Sequence, residues 1–309
     1  MEEWLESLQK AVPLLQQAVS VNEIKKGHSA DKKYRVDLPE GRTVVLRVAS
    51  EQQAEQKAQE FAVLQSLASY PIRASKPLAF GVRKELGICY MLVSYIEGED
   101  ARDRLPFYTE SEQQQTGFLA GQDLAAMHQL AAPAAIPPWI DRCVQKHRRY
   151  VEAYQTFSPP LPYGDKILAY IERHLACLEG RPNQFLHDDF HVGNLIVRDG
   201  TYAGVIDFNR YDWGDPVHEF VKLVFFSKEV SVPFCNGQLA GYWNHQEIPD
   251  EFWTLFNVYT AMTVFSSIIW TKRVVPEQLP DMIARVNLIV EEYDAFERRT
   301  PHWYKRIEK

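Results

Sequence analysis

Five residues after Asp189, in the run His187-Asp188-Asp189-Phe190-His191-Val192-Gly193-Asn194, comes an asparagine, and a further aspartate, Asp207, follows downstream. Phe185 and Leu186 form a short apolar run that leads out of a buried strand. Asp189 is therefore expected in a loop, where a carboxylate reaches solvent and substrate. Leu195, Ile196 and Val197 read as one strand and Tyr202 through Ile206 as another, with Asp199-Gly200 between them as a strong hairpin turn signal. Closing that hairpin brings Asn194, at its start, back beside Asp207, at its end. Two oxygen-bearing side chains then converge on one point, which suits Mg²⁺ held partly by protein and partly by nucleotide phosphates. Taken singly, the aspartates read as turn formers, Asn194 as a cap and Asp207 as a strand end. Taken together, in this order and spacing, they read as a functional set rather than as separate structural residues.

The same run, with Val205-Ile206-Asp207-Phe208 and Gly214-Asp215-Pro216 after it, resembles the aminoglycoside phosphotransferase and choline-kinase-like group of small-molecule kinases. The resemblance covers nearly the whole chain. It implies an α+β, two-lobed protein-kinase-like fold with the active site in the cleft. Residues 1–97 would form a nucleotide-binding lobe, an antiparallel sheet with a helix. Residues 98–309 would form a mainly helical lobe carrying the catalytic hairpin. It further implies that Asp189 is the catalytic base or hydroxyl-orienting residue and that Asn194 and Asp207 hold Mg²⁺, with ATP or GTP as the phosphate donor. Most members carry Gly between the His and the Asp, so Asp188 is a departure that adds a carboxylate near the reaction centre. Asp215 is expected to brace the catalytic loop, Glu219 stands where an Asp often follows, and His191 and His218 are expected to support loop geometry.

The elements that must position these groups are legible in outline. Residues 2–18 read as a helix, apolar at Trp4, Leu5, Leu8, Val12, Leu15 and Val19. Residues 21–36 look like strand, turn, strand, and the resemblance lays the Gly27 and Ser29 turn over the nucleotide phosphates, although an ordinary hairpin tip reads the same way. In the strand over 43–48, Val45 and Arg47 share one face while Val44, Leu46 and Val48 share the other. By resemblance Val45 faces adenine and Arg47 replaces the usual lysine on the phosphates, the alternative being a solvent-facing arginine. A helix over 50–69, capped by Ser50, carries an apolar stripe of Ala54, Ala58, Phe61 and Ala68 with Leu64 and Leu67 beside it. It would supply the partner of Arg47, Glu60, with Glu55 as the second candidate. Residues 78–82 and 88–95 read as strands, and the hinge that follows, with Ser94 and Ile96, would meet the base.

In the remainder, 113–130 reads as a helix ending at His128, a buried hydrogen-bonding residue. Residues 131–164 hold a Pro-rich connection and the aromatics Tyr150, Tyr154 and Phe157, which either wall a substrate site or pack. Residues 251–298 read as closing helices. The stretch 256–270 contains Asn257, Thr260, Thr263, Ser266 and Ser267, too short and polar a run to span a bilayer.

An apolar fraction of 46% and a charged fraction of 24% are those of an ordinary globular enzyme. Four cysteines without regular spacing read as buried thiols in a reducing compartment. Met1, Glu2, Glu3 and Trp4 lack a signal-peptide pattern, so a cytoplasmic location is expected. No basic patch stands out, which argues against nucleic acid. Residues 1–97 carry a net charge of +1 and the remainder −8. An acidic second lobe fits a cationic hydroxyl-bearing small molecule, received by carboxylates such as Asp212, Glu291, Glu292 and Asp294. The leading class is a hydroxylated cationic antibiotic. The alternatives are choline, an amino alcohol or a sugar amine as a metabolite, and a nucleotide-binding protein without turnover. Oligomeric state is left open.

Overall fold

In the computed structural model, which describes residues 3–25 and 31–307, the chain clusters into two units. One comprises Met1–Glu97 with Gly204–Asn209, the other Gly98–Ala203 with Arg210–Lys309.

The first unit begins with α1 (Glu3–Ala11) and α2 (Pro13–Gln16) rather than one helix over 2–18. Pro13 has no N–H to continue the first helix and instead opens the second, the position its fixed φ favours. Val19 falls beyond both and is exposed, so the apolar stripe ends at Leu15. Five antiparallel strands follow: β1 (Ser20–Glu23), β2 (Lys32–Asp37), β3 (Thr43–Ser50), β4 (Pro77–Arg83) and β5 (Ile88–Ser94), in the spatial order β1-β2-β3-β5-β4. Strand alternation gives this sheet two chemically distinct faces. Tyr34, Val36, Val44, Leu46, Val48 and Leu92 pack with Leu5, Leu8, Val12 and Leu15. Each such side chain removed from water contributes about 1.5–3 kcal/mol. The opposite face of β2 and β3 carries Lys33, Arg35, Val45 and Arg47, with Lys33 directly across from Arg47 and Arg35 across from Val45.

Helix α3 (Ala54–Leu67) follows a 3₁₀ turn at Glu51–Gln53, and the Ser50 hydroxyl accepts the Gln52 N–H in that turn. Its buried residues are Lys57, Glu60, Val63, Leu64 and Leu67, not the alanine and Phe61 stripe expected from apolar spacing. The inward face is half ionic, and opposite charges waiting on neighbouring elements make that possible. Gly204–Asn209 belongs to this unit through a short parallel bridge. The Val205 N–H donates to the Arg73 carbonyl at 2.9 Å, and the Ser75 N–H donates to the Val205 carbonyl at 3.3 Å.

The second unit contains β6 (Glu99–Asp100), α4 (Ala101–Arg104), α5 (Glu110–Met127), α6 (Trp139–Tyr154), α7 (Gly164–His174), β7 (Gln184–Leu186), β8 (Leu195–Arg198), the start of β9 (Thr201–Val205), β10 (Asp212–Gly214), α8 (Pro216–Glu219), α9 (Val232–Tyr242), α10 (Asp250–Val274) and α11 (Leu279–Glu292). Thr109 and Glu112 form a reciprocal capping box that starts α5 three residues before the expected helix. The hairpin turn is as expected: Asp199 (φ 51°) and Gly200 (φ 79°) both take the left-handed conformation that a two-residue turn between twisted strands demands.

Helices α5 and α9 meet at four glycines. A Cβ on Gly117 or Gly121 would lie 2.1 or 2.2 Å from the carbonyl oxygens of Phe234 and Gln238, and one on Gly237 would lie 2.2 Å from that of Gln114. Gly241 is equally close to the Phe118 carbonyl. The stretch 256–270, expected to be too short and polar for a bilayer, lies within a 25-residue helix, α10, that is long and apolar enough by composition to cross one. It is instead the unit's core helix, with Phe256, Tyr259 and Phe265 fully buried. Tyr154 stacks on Phe157 and meets Phe265 edge-on, so these aromatics pack.

Candidate active site

Strand β7 delivers the chain into the loop of residues 187–194, and the loop is fixed from below. Glu219, fully buried at the end of α8, accepts the N–H groups of Asp188 (3.0 Å) and Phe190 (3.3 Å). Burial alone would favour its protonated form, but His128 and His187 beside it outweigh burial and hold the carboxyl below its usual range. His128, buried as expected, bonds Tyr242 through Nδ1 at 2.9 Å and faces Glu219 through Nε2. The brace of the loop is thus Glu219. Asp215, the residue expected in that role, serves the framework instead. It caps α8 through the Val217 N–H, receives both forks of Arg181 (2.7 and 3.0 Å) and accepts the Tyr259 hydroxyl at 2.7 Å.

Asp188 adopts φ 56°, a left-handed conformation open to Gly, Asn and Asp at little cost. An aspartate can therefore stand at a position where the resemblance leads one to expect glycine. Its carboxylate lies 3.6 Å from His218 Nδ1.

Asp189 is held on several sides. Asn194 Nδ2 donates to its carbonyl oxygen at 2.9 Å and to its Oδ2 at 3.0 Å. Lys222 Nζ and His191 Nε2 each lie 3.4 Å from Oδ1. The Gly193 N–H donates to His191 Nδ1 at 3.0 Å, so the ring proton sits on Nε2 and points at Asp189. Burial pushes the Asp189 carboxyl up, and His191, Lys222 and Arg210 more than offset it, so the group is held well below the usual carboxylate range. Burial also keeps the His191 and His218 rings neutral by lowering their pKa.

In the first unit Arg47 is buried rather than solvent-facing. Its Nη1 meets Glu60 Oε1 at 2.5 Å and its Nη2 meets Asp31 Oδ2 at 2.6 Å. Lys57 joins them, 2.6 Å from Asp31 and 3.3 Å from Glu60. Burial opposes the charge on Arg47, and Glu60, Asp31 and Asp207 overcome it, so its pKa is raised. Val45 lies between Arg35 and Val93 across the sheet. Ser94 ends β5, and its N–H and hydroxyl are both engaged with the Lys76 backbone at 2.8 Å. Ile96 packs near Gly204. Gly27 and Ser29 lie outside the described residues. Asp207, at φ 68°, accepts Lys33 Nζ at 3.1 Å through Oδ2, while its buried Oδ1 has no hydrogen-bond partner among the described residues. An orphaned carboxylate oxygen, like the amide oxygen of Asn194, is a hard donor of the kind Mg²⁺ takes.

Lys222, Asp31, Lys57 and Lys33 were not singled out from the sequence. Signals existed for two of them. Lys57 and Glu60 have the i,i+3 spacing of a helical ion pair, and Lys33 falls opposite Arg47 once the hairpin register is drawn. Of the carboxylates expected to receive a cationic substrate, Asp212 pairs with Arg142 at 2.9 Å, Glu292 pairs with Lys228, and Asp294 has His302 at 3.7 Å.

Comparison with known proteins gives the lineage. Among solved structures, the chain is similar to the ADP-bound aminoglycoside phosphotransferase APH(2'')-Ib (TM-score 0.62, 18% identity, covering 93% of this chain and 97% of that one). It is also similar to a thermostable mutant of APH(4)-Ia in complex with ADP and hygromycin B (0.65, 18%, 93% and 97%). A third such structure is the GDP complex of aminoglycoside 2'-phosphotransferase-IIIa (0.67, 13%, 93% and 98%). The shared fold is the mixed α+β, kinase-like one. No curated protein matches by sequence. The model of the phosphotransferase enzyme family matches residues 20–251, and the chain belongs to that family.

Proposed function

We propose that this phosphotransferase moves the γ-phosphate of ATP or GTP to a hydroxyl of a cationic small molecule, an antibiotic of the aminoglycoside kind before any other, in the cytoplasm. The observation that carries the reading is the state of Asp189: a loop carboxylate kept ionised by His191 and Lys222 and oriented by Asn194. An ionised, fixed carboxylate of this kind can orient an acceptor hydroxyl for attack, and positioning with charge neutralisation is most of what phosphoryl transfer asks of a protein. Asp207 and Asn194 are the residues that would hold Mg²⁺, and the metal when bound would neutralise charge on the phosphates. Val45, Ile96 and Ser94 would bound the base, and Arg47, fixed by Glu60, would stand at the phosphates. The cationic acceptor rests on the −8 net charge after residue 97 and on structural relatives solved with hygromycin B, gentamicin and streptomycin.

The test is a screen of purified protein with MgATP and MgGTP, read as ADP or GDP release. The panel is aminoglycosides, macrolides, basic peptides, choline, amino alcohols and sugar amines. Acceptor-dependent release with an aminoglycoside supports the proposal. Release confined to choline or an amino alcohol would replace it with a metabolite kinase, and a preferred neutral or acidic acceptor would end the cationic reading.

A further inference from the structure

Sequence pattern assigns a phosphate-binding cation to Arg47 on β3, and the structure holds that side chain in one place. Two carboxylates, Glu60 and Asp31, hold its two terminal nitrogens, and Lys57 closes the cluster. All four side chains are at least nine-tenths buried.

The neighbouring strand offers a different cation. Lys33 on β2 lies directly across from Arg47 in the antiparallel register, so both side chains rise from one face of the sheet. Among the described residues Lys33 pairs with Asp207 Oδ2 at 3.1 Å. The other oxygen of Asp207 is buried and unpartnered. On the same face the next β2 cation, Arg35, is engaged with Asp37 at 2.9 Å and stacks over Tyr95, so among the described residues Lys33 is the β2 cation set beside the carboxylate expected to take the metal.

We infer that Lys33, from β2, is a second cation that contacts the nucleotide phosphates, beside an Arg47 held in place by Glu60 and Asp31. This rests on reading the first unit as nucleotide-binding. In the structure Lys33 neutralises Asp207. With a metal held by Asp207, the ammonium would be free to turn to the phosphate oxygens. A lysine suits that exchange, because its compact charge sits on a flexible stem with three rotatable donors, whereas the planar arginine fork is held in place by its carboxylates.

Calorimetric titration of ADP into wild type, Lys33→Met and Lys33→Arg, with Mg²⁺ and again in EDTA, tests this without turnover. Lys33→Met should bind ADP at least ~10-fold more weakly in both conditions, the direction expected when a charge-assisted phosphate contact is lost. Lys33→Arg should recover part of that loss, and both variants should keep the wild-type Tm within a few degrees. If Lys33 is only the structural partner of Asp207, Lys33→Met will bind metal-free ADP within twofold of wild type and MgADP as tightly or more tightly, and the inference is overturned. Should Lys33→Met not fold, Lys33→Gln carries the same comparison. Wild type that binds neither ADP nor GDP defeats the nucleotide reading itself, a different outcome from wild-type binding that Lys33→Met leaves unchanged.

Discussion

Asn194 is tied to Asp189 twice, through one amide nitrogen that donates to the backbone carbonyl at 2.9 Å and to the carboxylate at 3.0 Å. The residue expected to hold a metal therefore also aims the residue expected to accept a proton, and the two roles can be separated by substitution.

Asp189→Ala should lower turnover by at least ~10²-fold, the usual scale for a positioned acid–base group, with nucleotide affinity and Tm close to wild type. Asn194→Asp is the sharper variant. It places a second carboxylate 3.0 Å from the first, and like charges at that distance raise the pKa of one of them. Wild-type Asp189 is depressed and ionised throughout the assay range, so it contributes no acid limb to kcat near neutrality. Asn194→Asp should acquire one, and Asn194→Ala should not. Matching pH profiles for the two variants would remove Asp189 from the proton path.

Glu219 receives two backbone N–H groups of the loop from a fully buried site. Glu219→Gln keeps the shape, loses the charge and forces one amide donor toward N–H groups. Hydrogen bonds to a charged group are each worth about 1.5–3 kcal/mol, so a loss of that order in urea unfolding is expected. Turnover should fall while nucleotide Kd stays near wild type, and unchanged stability and turnover would show that the loop does not depend on this brace.

Local signals carried far in this sequence. Asp199-Gly200 specified a two-residue hairpin by its own backbone preferences, and alternation in β3 separated Arg47 from the core-facing valines. Apolar spacing failed in α3, because it assumes a greasy buried face. Lys57 and Glu60 are buried there only because Asp31 and Arg47, far apart in sequence, arrive to neutralise them. Lys222 and Asp189 met the same limit: an ion pair between a loop and a later segment is set by packing, and periodicity does not report it. The resemblance to known kinases pointed to Asp215 as the brace, and only the hydrogen bonds reveal that Glu219 fills that role.

The α5–α9 contact gives a packing prediction. Gly121→Ala would put a methyl 2.2 Å from the Gln238 carbonyl oxygen, a backbone atom that cannot swing aside. Alanine gains up to about 1 kcal/mol of helix propensity over glycine, while forcing a well-packed interface apart typically costs ~1–3 kcal/mol or more. Net destabilisation is expected, seen as a lower urea midpoint. Gly87→Ala, where a Cβ meets open space at φ 64°, should cost only the backbone strain of about 1–2 kcal/mol. A stabilised Gly121→Ala protein would refute the close helix contact.

His147 supplies a pH dependence whose sign is fixed. It is buried in α6 against Phe265, and its Nδ1 has no hydrogen-bond partner among the described residues. Burial, with Arg148 adding to it, lowers its pKa from 6.5 to about 4. Between those values the unfolded chain binds a proton that the folded chain refuses, so stability is full above pH 6.5 and is lost as pH falls toward 4. Below the folded value both states are protonated and the loss stops growing. A shift of this size is worth up to about 3 kcal/mol, and the lowered pKa values of His191 and His218 act in the same direction. Leucine in place of His147 keeps an apolar contact with Phe265 and cannot titrate. The drop in urea-unfolding free energy between pH 7 and pH 4.5 should therefore be smaller in His147→Leu than in wild type by about 2–3 kcal/mol. Equal drops in the two proteins would mean that His147 is protonated in the folded state.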